Sequence, residues 1–225
     1  MDVSEAINKR RSIRCFKPDP VPPDLLKKIL QTALRSPSAS NSQPWEFAVV
    51  SGGKLNEIRQ AFMENSSQIP VLDIPILLQY PEPWATRRRA VTAGLLDQLG
   101  IAREEKQKRM EWNSQSLKLW GAPCAIYIMI DRAYYHIEGN LNVWPVFDCG
   151  LITQTILLLA TEHGLGTIPA VQLVLYPDIL RKILNIPDSK LTLLGIAIGY
   201  PDPEHRVNQF RTEREPLDKV AKFYT

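Results

Sequence analysis

Three cysteines in 225 residues, Cys15, Cys124 and Cys149, with no C-x-x-C spacing, provide neither a disulfide framework nor a sulfur ligand set for zinc. That scarcity suits a reducing compartment, and the cytoplasm is the expected location. Histidine is as sparse: His136, His163 and His205 stand apart from carboxylate or cysteine clusters, so neither a metal centre nor a nucleophilic triad is expected. A dominant charge is also missing. The 27 Lys+Arg nearly balance 24 Asp+Glu for a formal +3, which argues against a nucleic-acid partner and leaves a small anion as the better candidate. No stretch reads as the roughly eighteen apolar residues of a membrane span, and the first five residues include two acids, so neither insertion nor export is expected. Eleven glycines against eighteen prolines imply many fixed turns.

What remains is ordinary for a globular chain: 44% hydrophobic and 23% charged residues, enough for one domain over residues 1–225. Ser4 is placed to cap a short helix towards Lys9, and Leu25, Leu26, Ile29, Leu30 and Ala33 recur at helical spacing after the prolines at 18, 20, 22 and 23. Residues 45–50 predict a strand, Gly52-Gly53 a turn into a helix, and 123–131 a strand buried on both faces. From 66 to 120 prolines interrupt an apolar run at 74–80, and helices are expected over 87–99 and 103–119. That region reads as an exposed, lid-like excursion. Residues 143–163 are so uniformly apolar or small that their helix should be surrounded by protein, with a dimer interface as one way to achieve it. Gly164 ends it; a helix over 177–184 and a strand over 191–198 follow. The polar tail from 201 has too few apolar residues to fold alone, and either frays or wraps a neighbour.

Two stretches suggest a site. Arg10-Arg11-Ser12-Ile13-Arg14 puts three cations and a hydroxyl within five residues, a compact receptor for phosphate, with Ile13 available to pin it to a core. Ser36 to Trp45 adds a donor-rich loop at a helix end. Alone, the first reads equally as a solvated basic turn and the second as a self-satisfied polar loop. Arg87-Arg88-Arg89 reads as a solvated helix face rather than a second phosphate site. Trp84, Trp112 and Trp120 read as core residues, with stacking above the site as the alternative.

In order and spacing, these segments together with Gly164-Leu165-Gly166-Thr167 and Gly199-Tyr200-Pro201 resemble the FMN-dependent nitroreductase superfamily over nearly the whole chain. The resemblance implies an α+β fold, an antiparallel-dominated central sheet flanked by helices, in an intertwined homodimer with FMN at the subunit interface. It implies FMN contacts from Arg10, Arg11, Ser12 and Arg14, from Pro37, Ser38, Ala39, Ser40, Asn41 and Gln43 of the partner, and from Arg211 and Arg214 in the tail. Ile168, Pro169, Ala170 and Val171 would cover one flavin face. It further implies ping-pong transfer of two electrons from NADH or NADPH to a small electron-poor acceptor such as a nitroaromatic or quinone, with the flavin N5 and no catalytic side chain carrying the chemistry.

Reductive dehalogenation or flavin-fragmenting chemistry on the same scaffold is the near alternative. A flavin-free module using its basic tail on nucleic acid is the distant one, against which the near-neutral charge already argues.

Overall fold

The computed structural model describes residues 1–77 and 79–225, and its elements are α1 (Val3–Lys9), α2 (Pro23–Ala33), β1 (Glu46–Ser51), α3 (Gly52–Glu64), α4 (Trp84–Leu99), α5 (Lys106–Ser114), β2 (Cys124–Asp131), α6 (Arg132–Tyr135), a short hairpin β3 (His136–Ile137) and β4 (Asn140–Leu141), α7 (Trp144–Glu162), β5 (Gly166–Ala170), α8 (Pro177–Leu184), β6 (Lys190–Gly199) and α9 (Leu217–Val220). Four strands form one antiparallel sheet in the order β1-β2-β6-β5. The expected α+β architecture is therefore present.

β2 lies at the centre because it has no polar face to show. Its residues Cys124 to Ile130 are all buried, with hydrophobic clusters on both sides of the sheet. On one side α3 and α8 bring Leu55, Ile58, Phe62, Leu180 and Ile183; on the other α2 and α7 bring Leu26, Ile29, Ala33, Ile152, Ile156 and Ala160. Burying a side chain of this size contributes about 1.5–3 kcal/mol, so these two layers dominate the stability. The ladder between β2 and β6 shifts register at Ile128/Met129, and the Asp73 carboxylate caps the irregularity by accepting from Thr192 N (2.8 Å) and Oγ1 (2.9 Å).

Local chemistry corrects several boundaries. Asp2 rather than Ser4 caps α1, its carboxylate accepting from Glu5 N at 2.8 Å. The helix expected over 103–119 is reduced to α5. Ser114 and Ser116 hydroxyls donate to the carbonyls of Glu111 and Asn113, and Leu119, Trp120 and Gly121 then adopt left-handed φ values of 54°, 51° and 78°, which no helix continues. The run at 74–80, of which Leu78 lies outside the described residues, makes no strand at the described positions, as its prolines require.

α7 corrects one expectation. At 19 residues and a mean hydropathy of 1.3 it is long and apolar enough to cross a membrane by composition alone, contrary to the expected absence of such a stretch. Yet it packs against the sheet and α2 and buries the carboxylate of Asp148. Nor is it enclosed in the single chain: Phe147 is 57% and Trp144 58% exposed, stacked edge to face at 5.9 Å. The tail lies partly on its own chain, since Arg87 Nε meets Glu215 Oε1 at 2.8 Å and a Cβ on Gly94 of α4 would fall 2.5 Å from the Phe210 ring. Beyond that point Leu217, Val220, Phe223 and Tyr224 are exposed.

Candidate active site

The arginine segment is held rigidly by its backbone. α1 stops at Lys9, where Arg10 turns to an extended conformation while its N–H still donates to Ala6 O (2.9 Å). Ser12 then pairs with Thr167 of β5, and Ile13 N donates to Thr167 O (3.0 Å). Ile13 is 3% exposed and packs onto Gly166, where an added Cβ would lie 2.6 Å from Ile13 Cγ1. Only glycine lets the segment come this close. Gly166→Ala is expected to destabilise the protein by about 1–2 kcal/mol through overpacking, read as a lower thermal midpoint without ligand. An unchanged midpoint would mean that Ile13 is not seated there.

Next along the chain, Asn208 acts as a hub that sequence reasoning missed. It is 1% exposed; its Oδ1 accepts from Arg14 N (2.8 Å) and its Nδ2 donates to Cys15 O (2.7 Å) and Asp202 O (2.8 Å). One asparagine thereby ties the arginine segment to the start of the tail, and the same turn delivers Arg211 and Arg214. A buried polar residue in a polar tail carries no periodic signal, so only three-dimensional packing reveals it.

Arg10, Arg11, Ser12, Arg14, Arg211 and Arg214 thus converge on one cavity of ≈ 670 Å³, to which α7 adds Gln154. No carboxylate lines it among the described residues. Arg211 and Arg214 donate only to carbonyls and the Thr212 hydroxyl, Arg14 Nη1 reaches only Ser12 O at 3.4 Å, and Arg11 Nε is buried without a partner. Burial, and after it the charges of Arg214 and Arg211, depresses the Arg10 pKa from the usual arginine range; burial and Arg211 act likewise on Arg11, and burial alone on Arg14. Five guanidiniums held together against their own repulsion make a receptor for an anion of more than one charge.

Ser12 and Arg14 also line a second cavity of ≈ 260 Å³, bounded by Ile168, Pro169 and Ala170 of β5 and by Trp112 and Trp120 from the excursion. Both tryptophans border this space, and Trp120 also packs against the hydrophobic core on the α3 side of the sheet. Val171 does not border the space: it faces a separate apolar cavity with Leu72 and Cys149. Trp84 is 52% exposed and lines neither space.

Nor does the donor loop reach these cavities in its own chain. Asp148, which sequence reasoning passed over beside Cys149, organises it: both carboxylate oxygens accept from Ala39 N (3.2 and 3.1 Å), and Oδ2 accepts from Ser42 Oγ (3.4 Å). Ser38 Oγ accepts from Gln43 N (3.0 Å), and Ser40, Asn41 and Gln43 take left-handed φ of 50°, 60° and 47°. Ser40, Asn41 and Gln43 are exposed beside the half-buried Ser38 and Ala39, so the loop is built and faces outward with Pro37 at its base.

Fold and cavities together define an α+β protein with a cationic cavity set beside an apolar, tryptophan-bordered one. The chain belongs to the nitroreductase family, whose pattern it matches over residues 7–200. It is 32% identical to nitroreductase NfnB of Mycolicibacterium smegmatis over 96% of this chain and 90% of that one, and 30% identical to a chloronitrobenzene nitroreductase of Comamonas testosteroni over 98% and 96%. Among solved structures, the FMN and NADPH-dependent nitroreductase NfnB of Sphigopyxis sp. strain HMH superposes with a TM-score of 0.93 over the whole of both chains, at 30% identity.

Proposed function

We propose that the chain is an FMN-dependent oxidoreductase that passes two electrons from NADH or NADPH to a nitroaromatic or a similarly electron-poor small molecule. The observation that carries this reading is a pair of adjacent cavities with Ser12 and Arg14 in both walls: an arginine cluster with no carboxylate among the described lining residues, and beside it the floor of Ile168, Pro169 and Ala170. The fit to FMN is supported by the chemistry of the donors, a phosphate answering Arg10, Arg11, Arg211 and Arg214, and a flat ring system answering the apolar floor and the tryptophans.

Bound FMN supplies the redox chemistry, alternately accepting and releasing two electrons. The protein's residues bind and orient. The four outer arginines and Ser12 hold the phosphate and ribityl end, while Arg14, shared by both cavities, places a cation against the ring end, where it favours added negative charge. Ile168, Pro169 and Ala170 exclude water from one face. Ala170, 7% exposed, presents only a methyl group there, which leaves room for a bulky acceptor.

A homodimer completes the site. Its support is the exposed apolar side of α7, the outward donor loop of Pro37 to Gln43, and the four exposed apolar residues of the last nine, which suit a tail wrapping the partner. Residues 1–225 act as one FMN-binding unit, with 66–120 as a lid. Three free cysteines support the cytoplasm as location.

The test is spectroscopic. Purified protein should be yellow, bleach anaerobically on adding NADH or NADPH, and recolour on adding a nitroaromatic. A colourless protein that cannot be reconstituted with FMN contradicts the reading.

A further inference from the structure

Beside the tryptophan-lined cavity lies another of ≈ 800 Å³ that the flavin reading does not use. The two share Thr92 of α4 in their walls, so they lie side by side. Four arginines line the outer cavity, Arg88, Arg89, Arg103 and Arg109, against the single carboxylate of Asp97.

The four are not equivalent. Arg89 is paired with Glu82 at 2.6 Å, which offsets its charge, and Arg88 lies 5.1 Å over the ring of Tyr80. Arg103 and Arg109 have no carboxylate partner among the described residues, and Arg109 Nη1 donates to the Arg103 carbonyl at 3.0 Å, which ties the Arg109 side chain to the backbone of Arg103. Leu96 and Ile101 give the cavity an apolar wall. Two arginines without carboxylate partners, in a cavity also lined by Tyr80 and an apolar wall, match a ligand that carries a planar base and a phosphate monoester, the base packing on the apolar side while the phosphate takes bidentate donors.

We propose that this cavity receives the adenosine end of the electron donor and that Arg103 and Arg109 bind its 2′-phosphate, making the protein selective for NADPH over NADH. This rests on the proposed oxidoreductase function and decides between the two donors it allows. The arginines read from sequence as one solvated face are thereby divided: Arg87 holds the tail, Arg89 holds Glu82, and Arg88 borders the donor.

Adenosine 2′,5′-diphosphate and adenosine 5′-monophosphate are the probes, titrated into the flavin-loaded protein by calorimetry beside steady-state kinetics with both dinucleotides. The 2′,5′-diphosphate is expected to bind at least about tenfold more tightly than the monophosphate, one charge-assisted phosphate contact being of that order. In R103Q/R109Q that advantage disappears, and the preference in kcat/KM for NADPH over NADH falls by a similar factor while flavin content stays at the wild-type level. Equal binding of the two probes by the unaltered protein overturns the proposal without recourse to any variant. So does an R103Q/R109Q protein that keeps the NADPH preference. Bleaching by NADH in the same preparation keeps the oxidoreductase reading standing when the phosphate site fails. A flavin that neither dinucleotide bleaches overturns that reading, and the donor assignment with it.

Discussion

Arg10→Ala is expected to raise the dissociation constant for FMN about ten- to hundredfold, since a charge-assisted phosphate contact contributes roughly 1.5–3 kcal/mol. Folding should not suffer. Arg10 closes α1 through its backbone N–H, which alanine retains, and its guanidinium has no carboxylate partner to lose among the described residues. It stands instead among repelling cations, and its pKa is depressed by burial and then by Arg214 and Arg211. Without ligand, then, the variant should melt at the wild-type temperature or slightly above it, and with flavin slightly to well below. Calorimetry with FMN, beside melts of the flavin-free protein, separates the two effects. Full flavin occupancy after extensive dialysis would contradict the assignment, and a large loss of flavin-free stability would make Arg10 a structural residue.

Asp73→Ala should do the reverse, leaving the arginine cluster intact and weakening the fold. Asp73 pairs with Arg181 at 2.6 Å with side chains only 8% and 11% exposed, and its other oxygen takes both donors of Thr192 at the β6 irregularity. Burial by itself would depress the Arg181 pKa; the hydrogen bond and charge of Asp73, with a smaller contribution from Asp178, more than offset it and hold it above the usual arginine value. Loss of a buried partner costs about 3–5 kcal/mol when nothing replaces it. Here the exposed Asp178 and Asp188 remain near Arg181, so about 3 kcal/mol is expected, or roughly 10 °C in thermal midpoint for a chain of this length. Asp73→Asn, which keeps an acceptor for Thr192, should lose less. A shift under about 2 °C for the alanine variant would mean that the 66–83 segment is not latched to the sheet by this residue.

The sheet and its flanking helices were legible because their signals are local. Seven consecutive buried residues in β2, the helical stripe of α2 and the glycine after α7 each follow from periodicity or backbone freedom. The arginine segment was legible as a motif, but its meaning came from what the chain brings to it. Asn208 and Gln154 are isolated polar residues whose neighbours lie far away in sequence, so no window contains their partners. Asp148 was hidden in an apolar helix, and its role appears only where Ala39 and Ser42 turn their donors towards it. The excursion was read as exposed charge, yet Trp112 and Trp120 return to the cavity because left-handed turns at Leu119 and Trp120 redirect the chain. Such turns at non-glycine residues have no reliable sequence signature.

The arginine cluster as a phosphate receptor is tested most directly by comparing FMN with riboflavin, which differ only in the phosphate. Fluorescence titration of the flavin-free protein should give FMN binding at least about a hundredfold tighter than riboflavin, with the gap narrowing as salt is raised. Equal affinities for the two flavins would contradict it.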